Sequence, residues 1–412
     1  MSERQDPYQA LRFPEFRWFL AGTLALTMGT QIQTLVMGWQ VYRLTRDPLS
    51  LGLIGLSEVV PFLSLTLFGG WLADRMDRRT IGLVSSSLLL LGGLVLLTLN
   101  VQGKVTHAWP FYAIQAFAGV ARAFAGVARA FNRPASLALS TELVPPAAYQ
   151  NGTTWRSSTM QTAQVAGPAL GGLLYGFAGA VVAYSAQVVL MGFALASLVR
   201  IRPRPRKGGG GPLLSSLVEG VAFVFNRRLL LGALSLDLFA VLFGGAVALL
   251  PVFASDLLKV GPQGLGLLRA APAAGSVAMG FWLAHHPPRK RAGLVLLACV
   301  AGYGLCWVAF ALTPWFVPAL ALLAASGAMD AVSMVLRGTL VQTSTPPEMM
   351  GRVQAVNGFF IGSSNELGAF ESGVAARLLG VVPSVVFGGF VTLGVVAVTG
   401  WRVPELRSLK RL

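Results

Sequence analysis

Apolar runs of about 20 residues recur from one end of the chain to the other, separated by glycine, proline and charged clusters. A helix rises about 1.5 Å per residue, so each run is long enough to cross a bilayer core of about 30 Å. Only 12% of the 412 residues are charged, whereas soluble domains contain about 25%. The sequence therefore predicts an all-α polytopic membrane protein surrounded by the lipid bilayer.

The apolar runs divide into twelve predicted transmembrane helices. They cover residues 18–42, 49–72, 80–101, 109–143, 154–177, 180–200, 228–252, 264–286, 292–313, 316–342, 351–379 and 384–402.

Basic residues are unevenly distributed between the connections. They collect in the N-terminal segment, after spans two, six and eight, and in the C-terminal segment, whereas the opposite connections hold only scattered charge. By the positive-inside rule the first set is cytoplasmic, which places both termini inside a multi-pass protein of the inner (plasma) membrane. The net charge of +16 therefore does not indicate a nucleic-acid partner.

The segment "RIRPRPRKGGGG" is the longest polar interruption, and its composition is typical of a solvated linker. It separates an N-terminal six-helix bundle, 1–199, from a C-terminal one, 228–412, with 200–227 as a cytoplasmic linker containing a short amphipathic helix. "LVPP" at the end of span four matches "STPP" at the end of span ten. Two pseudo-symmetric bundles predict a transport site between them near the bilayer midplane.

Span four contains the heptad AFAGVAR twice in succession, with Arg122 and Arg129 ending the two copies. Seven residues rotate a helix by about 700°, close to two full turns, so both arginines lie on one side of the span. A tandem duplication tolerated because it preserves helical phase is one interpretation. A second arginine lining the transport cavity is the other. In either case both side chains are expected to face protein or water rather than lipid.

The segment "GGWLADRMDRRT" ends span two and resembles the signature of the major facilitator superfamily between its second and third helices. Asp77 replaces the second glycine of that signature, and an ordinary positive-inside loop is the alternative interpretation. The resemblance implies a conformational latch between the two bundles that does not touch substrate, with Arg78 paired to an acid such as Glu142. The predicted latch residues are Gly70, Asp74, Arg75, Arg78, Arg79 and Glu142.

The segment "VAGPALGG" in span five resembles the glycine-proline motif of drug and metabolite antiporters in the same superfamily. Gly167, Gly171 and Gly172 predict a close-packing helix face, and Pro168 predicts a kink. A generic small-residue packing face is the alternative. Together with "SNELGAFESG" in span eleven and several other segments, the chain resembles the branch containing enterobactin exporters and macrolide-efflux proteins.

Five acids lie at predicted membrane depth: Glu58, Asp237, Asp330, Glu366 and Glu371. Burial disfavours a charged carboxylate, so such a group can exchange a proton near neutral pH.

We rank Asp237 and Glu366 first as proton or cationic-substrate sites, and expect Asp330 to form a structural ion pair with Arg337. Glu58 precedes Pro61, where satisfying a kinked backbone is an alternative role. Permanent ion pairs are the alternative for any of these acids, with Arg122, Arg129 and Arg269 as possible partners. The acids permit a cationic substrate, whereas the same three arginines are candidates for binding an anionic, siderophore-like one.

Gln33 and Gln40 share one face of span one. They are predicted either to anchor an amphipathic ligand in an apolar cavity or to form interhelical hydrogen bonds.

The resemblance implies a secondary active transporter that works as a monomer and exports amphipathic small molecules, drug-like or siderophore-like, in exchange for protons. An importer or facilitator with the same fold and a non-transporting membrane sensor are the alternatives. The sequence contains no nucleotide-binding motif and no metal-ligand spacing, so we predict neither an enzyme nor a cofactor.

Overall fold

A computed structural model of the chain describes residues 6–73, 78–130, 143–145, 148–202, 213–286 and 291–409. Within the helices, the side chains of 66–73, 122–130 and 213–217, and of Arg78, Pro347 and Ala355, lie outside this description.

The described residues form long helices and contain no strand. The principal helices are α1 Pro14–Thr45, α2 Pro48–Ala73, α3 Arg78–Val101, α4 Trp109–Ala130, α5 Tyr149–Val199, α6 Leu213–Phe225, α7 Arg228–Gly244, α8 Gly261–His285, α9 Ala292–Leu312, α10 Phe316–Ser344, α11 Pro347–Leu379 and α12 Val381–Arg402.

Most helix boundaries lie within a few residues of the predicted spans, because the bilayer requires long uninterrupted apolar segments. Among the described residues, nine helices are long and apolar enough to cross a membrane. A count of twelve also requires two crossings in α5 and one each in α4 and α11. That count remains a prediction.

Helix α5 breaks at Gly179, whose φ of 80° and ψ of −178° are not helical. Glycine adopts such a positive φ without the steric penalty of a Cβ atom. We call the segments before and after it α5a (149–178) and α5b (180–199). α1 contacts both segments: its Gly22 and Gly29 lie against Ser197 and Met191 of α5b, and its Ile32 lies against Gly171 of α5a. The contacts with α5b run antiparallel to α1, so the chain reverses direction near the predicted boundary between spans five and six.

Helix α7 ends earlier than predicted. The predicted span 228–252 lies within a membrane-length apolar stretch, Arg228–Leu257, but it is not one continuous α-helix, because Gly245 has φ −95° and ψ 75° and interrupts the helical hydrogen bonding. The chain continues through a 3₁₀ turn, Ala246–Leu249, and a π turn, Phe253–Leu257. The apolar composition of this segment gave no sign of the break, since hydropathy is the same for straight and broken helices.

Helices from the first part of the chain pack mainly on one another, as do those of the second part. α1 packs on α5, α2 on α4, and α3 on both α4 and α5; α8 packs on α10, α9 on α10 and α12, and α11 on α7. We refer to α1–α5 and α7–α12 as the two halves. They meet where α2 contacts α11 and where α5a contacts α8. The exact domain boundaries 1–199 and 228–412 stay a prediction.

Helix α6 lies within the segment 200–227 that was predicted as the linker. Val224 of this helix is fully buried with Val353 and Val356 of α11. Glu219 pairs with Arg352 at 2.5 Å. The linker helix is therefore attached to the second half through both apolar packing and an ion pair.

Candidate functional site

The glycines on the predicted packing face of α5a contact two different helices, α1 and α8. A Cβ atom on Gly171 would lie 3.2 Å from the Cα atom of Ile32 in α1, whereas one on Gly172 would lie 2.8 Å from the Cα atom of Gly266 in α8. Gly167 also packs on α1, against Gln31. The backbone stays helical through Pro168, and the non-helical angles within α5 occur at Gly179. The motif thus packs α5a within its own half and across to the other half.

A second close contact joins the halves between α2 and α11. A Cβ atom on Gly373 would lie 2.8 Å from the Cα atom of Gly52. Further along, Phe62 approaches Gly362 near the middle of both helices, whereas a Cβ atom on Gly358 would meet no atom within 4 Å. Glycine-to-glycine contacts of this kind let backbones approach closely.

Ion pairs cross between the halves beyond these two contacts, at the end of the molecule where α1 connects to α2. We call this end the Asp47 end. Arg46 Nη1 lies 3.0 Å from Asp256 Oδ1, and the Tyr42 hydroxyl donates a hydrogen bond to Asp256 at 2.5 Å. Arg377 lies 3.5 Å from Asp47. Sequence reasoning missed these pairs, although opposite charges in connections predicted for the same side were the available signal.

Glu366 lies beside the contact between α2 and α11. A Cβ atom on Gly55 of α2 would lie 2.9 Å from the Glu366 carbonyl oxygen and 3.6 Å from its carboxylate. Arg269 of α8 carries the opposite charge and attracts the Glu366 carboxylate. Glu366 therefore lies where α11 of the second half contacts α2 of the first half.

Asp237 lies inside the second half rather than between the halves. It forms an ion pair with Arg337 of α10, and both residues are buried. The prediction that Arg337 pairs with Asp330 of its own helix is therefore wrong. The crossing of α7 over α10 brings Asp237 to the guanidinium, which spacing along one helix does not reveal.

Glu58 lies in the contact between α2 and α4. It is 3% exposed and accepts a hydrogen bond from the side chain of Gln115. Its backbone also contacts Gly119, in the first AFAGVAR copy. Glu371 of α11 is partly buried.

Gln33 and Gln40 both point into the first half. Gln187 of α5b donates to Gln33 at 3.0 Å. Gln40 accepts from the Tyr184 hydroxyl at 2.9 Å and donates to Asn100 at 2.6 Å. Of the two predicted roles, interhelical hydrogen bonding is the one that these contacts support.

The structure does not describe the side chains of most predicted latch residues, namely Gly70, Asp74, Arg75, Arg78 and Glu142. The same holds for the side chains of Arg122 and Arg129, although the backbone of both heptad copies is helical through Ala130. Arg79 is described, and it donates to the carbonyl oxygens of Leu198 and Val199 at 3.3 and 2.7 Å. It therefore binds the C-terminus of α5b within its own half, where the helix dipole favours a cation.

This fold, with two contacting helical halves and charged residues near the surface between them, defines a membrane transporter of the secondary type. A model of the Major Facilitator Superfamily matches residues 19–369. The chain belongs to this superfamily, and its relatives are transporters rather than enzymes.

Two curated relatives are exporters by name. The multidrug efflux pump Tap of Mycobacterium tuberculosis is 24% identical over 418 residues, covering 95% of this chain and 93% of the pump. The enterobactin exporter EntS of Shigella flexneri is 28% identical over 374 residues, covering 86% of this chain and 83% of the exporter.

Solved structures show the same fold at lower identity. A bacterial homologue of the human lysosomal transporter Spinster, inward-facing and unoccupied, superposes with a TM-score of 0.73 at 16% identity, covering 97% of this chain and 99% of that one. A bacterial homologue of the iron transporter ferroportin, also inward-facing, gives a TM-score of 0.68 at 16% identity, covering 97% and 99%.

Proposed function

We propose that this protein is a proton-coupled exporter of amphipathic small molecules, drug-like or siderophore-like, that works by alternating access between its two halves. The observation that carries the proposal is the uneven contact between the halves. Three contacts hold the halves together toward the Asp47 end: Gly172 with Gly266, Gly52 with Gly373, and Arg46 with Asp256. Among the described residues, close glycine contacts and ion pairs toward one end are what a rocking transporter requires in one of its two states.

The positive-inside rule assigns the Asp47 end to the outside of the cell. With that orientation the close contacts among the described residues lie on the outer side of the molecule, as an inward-facing state requires. Export is supported by the names of both curated relatives, although their identities of 24% and 28% leave the substrate open.

The substrate site in this proposal lies between the halves beside Glu366 and Arg269. A carboxylate near a guanidinium can bind either a cationic or an anionic group of an amphipathic ligand by displacing the partner charge. Glu366 is therefore proposed to exchange its proton or counter-charge for substrate as the cavity changes sides.

The test is dye and siderophore uptake into inverted membrane vesicles energised with a pH gradient, using ethidium, erythromycin and a catecholate siderophore as separate probes. The exporter is expected to accumulate at least one probe, to lose accumulation when the gradient is collapsed, and to lose it in Glu366→Gln. Glu348→Gln is the matched control, because Glu348 is an exposed acid on the same helix.

Uptake that persists without the pH gradient would contradict proton coupling. Accumulation in right-side-out cells instead of inverted vesicles would establish an importer. Absence of transport of any probe, with a normal cellular phenotype for Glu366→Gln, would point to the non-transporting sensor.

A further inference from the structure

A small cavity lies inside the second half, enclosed by α7, α9 and α10. Two carboxylates line it, Asp237 from α7 and Asp330 from α10, together with Tyr303 of α9 and Ser333 of α10. It has room for about one water-sized species. The helices around it differ from α2, α5a, α8 and α11, which form the contact between the halves.

Helix geometry places the polar groups of α10 on one face. Asp330, Ser333 and Arg337 are separated by three and four residues, the spacing of neighbours on a helix surface. Arg337 ends this row and pairs with Asp237. Asp330 is repelled by Asp237 and attracted by Arg337, so two carboxylates share the charge of a single guanidinium.

The Ser333 hydroxyl provides an independent indication that something binds here. Ser333 is 3% exposed and lines the cavity, yet its oxygen has no hydrogen-bond partner among the described residues. Buried hydroxyls are almost always hydrogen-bonded, so an unpartnered hydroxyl in a cavity that two carboxylates also line points to a bound species that forms its missing hydrogen bond.

We propose that Asp330, with Asp237, Arg337 and Ser333, forms a proton-binding site within the second half, separate from the substrate site beside Glu366. A proton adds to the Asp330 carboxylate to give the neutral acid, whose new hydroxyl donates to Ser333 directly or through one water. Asp237 keeps its ion pair with Arg337. Asp330 takes the proton because it lies beside the like charge of Asp237, whereas Asp237 is stabilised as a carboxylate by its ion pair with Arg337.

A proton fits this site better than a metal ion does. Hard metal cations take about six or more oxygen ligands, and the described lining supplies four oxygen-bearing side chains, Asp237, Tyr303, Asp330 and Ser333. Protonation needs no ligand shell, and it brings the charge of the two acids and one arginine to zero.

The role of this site in coupling proton binding to export rests on the proposed function. The test of the site therefore uses no substrate. Infrared difference spectra of the purified full-length protein are recorded between acidic and alkaline buffers, and the carboxylic-acid C=O band is followed. The wild type is expected to show a titrating band that Asp330→Asn loses and Glu348→Gln keeps. Ser333→Ala is expected to shift the band, because the acid loses its hydrogen-bond partner.

A full band in Asp330→Asn would overturn the proposal, as would a band lost only in Asp237→Asn. Loss of the wild-type band when sodium replaces choline at constant pH would also overturn it, by showing a metal ion in the cavity. Thermal unfolding of Asp330→Asn, which keeps the Asp237–Arg337 pair, verifies that the variant is folded. Normal titration without any transport would defeat the proposed function alone, whereas transport without titration of Asp330 would defeat this site alone.

Discussion

The guanidinium of Arg46 lies 3.0 Å from the carboxylate of Asp256, joining the end of α1 to the turn that follows α7. Asp256 belongs to the same membrane segment as Asp237, on the far side of the break at Gly245. One segment therefore carries both a contact that closes the Asp47 end and a carboxylate of the buried cluster.

We expect Asp256→Asn to lower the equilibrium constant for closure at the Asp47 end by up to about fivefold, because an exposed ion pair contributes about 0–1 kcal/mol. The side chains of Arg46 and Asp256 are 60% and 43% exposed. The measurement is the distance between spin labels at Lys104 and Trp315, after replacing Cys299 and Cys306 with alanine. Asp6→Asn, which breaks another exposed pair with Arg12, is the control, and an equal change in both variants would refute the prediction.

Gly172→Ala should destabilise the structure by about 1–3 kcal/mol, because overpacked contacts cannot relax freely. The added Cβ would lie 2.5 Å from the Pro262 carbonyl oxygen and 2.8 Å from the Gly266 Cα. Gly192→Ala is the matched control, since a Cβ there meets nothing within 4 Å, and it should stabilise its helix by about 0.5–1 kcal/mol. Thermal unfolding in detergent measures both, and similar effects of the two substitutions would show that the halves do not meet at Gly172.

Arg337→Met should cost about 3–5 kcal/mol of unfolding free energy, because it leaves a buried carboxylate without its cation. Asp237→Asn should cost less, since Arg337 still attracts Asp330. Chemical unfolding of both variants provides the comparison. Glu219→Gln serves as the reference, because it removes a largely exposed pair worth about 0–1 kcal/mol. Equal costs for Arg337→Met and Asp237→Asn would argue against a shared cluster.

Gln40→Leu should lower stability by about 0.6–1.7 kcal/mol, the range for interhelical hydrogen bonds in membranes, and leave the affinity for exported probes unchanged. The substitution leaves the Tyr184 hydroxyl and the Asn100 side chain without their shared partner. Thermal unfolding and probe-binding titrations are the two measurements. Ser185→Ala, whose hydroxyl bonds within its own helix, is the control. Weaker probe binding at unchanged stability would assign Gln40 to the substrate cavity instead.

The sequence predicted a feature correctly where all the residues that define it lie within one helix. The packing glycines Gly167, Gly171 and Gly172 were recognised from their spacing, and the structure shows each in a close helix contact. Asp237 was recognised as a buried acid, but its partner was not, since Arg337 reaches it only after two distant helices cross. The break at Gly245 was missed because one glycine within an apolar segment is compatible with a continuous membrane helix.

What the sequence alone determined is the position of most membrane helices and the superfamily, because lipid requires long apolar segments whatever their neighbours are. Tertiary structure decided which charges meet: Asp237 with Arg337, and Arg46 with Asp256. Those pairings depend on where helices cross and how far each is rotated about its axis, and such quantities follow from packing between segments rather than from the residues of any one of them.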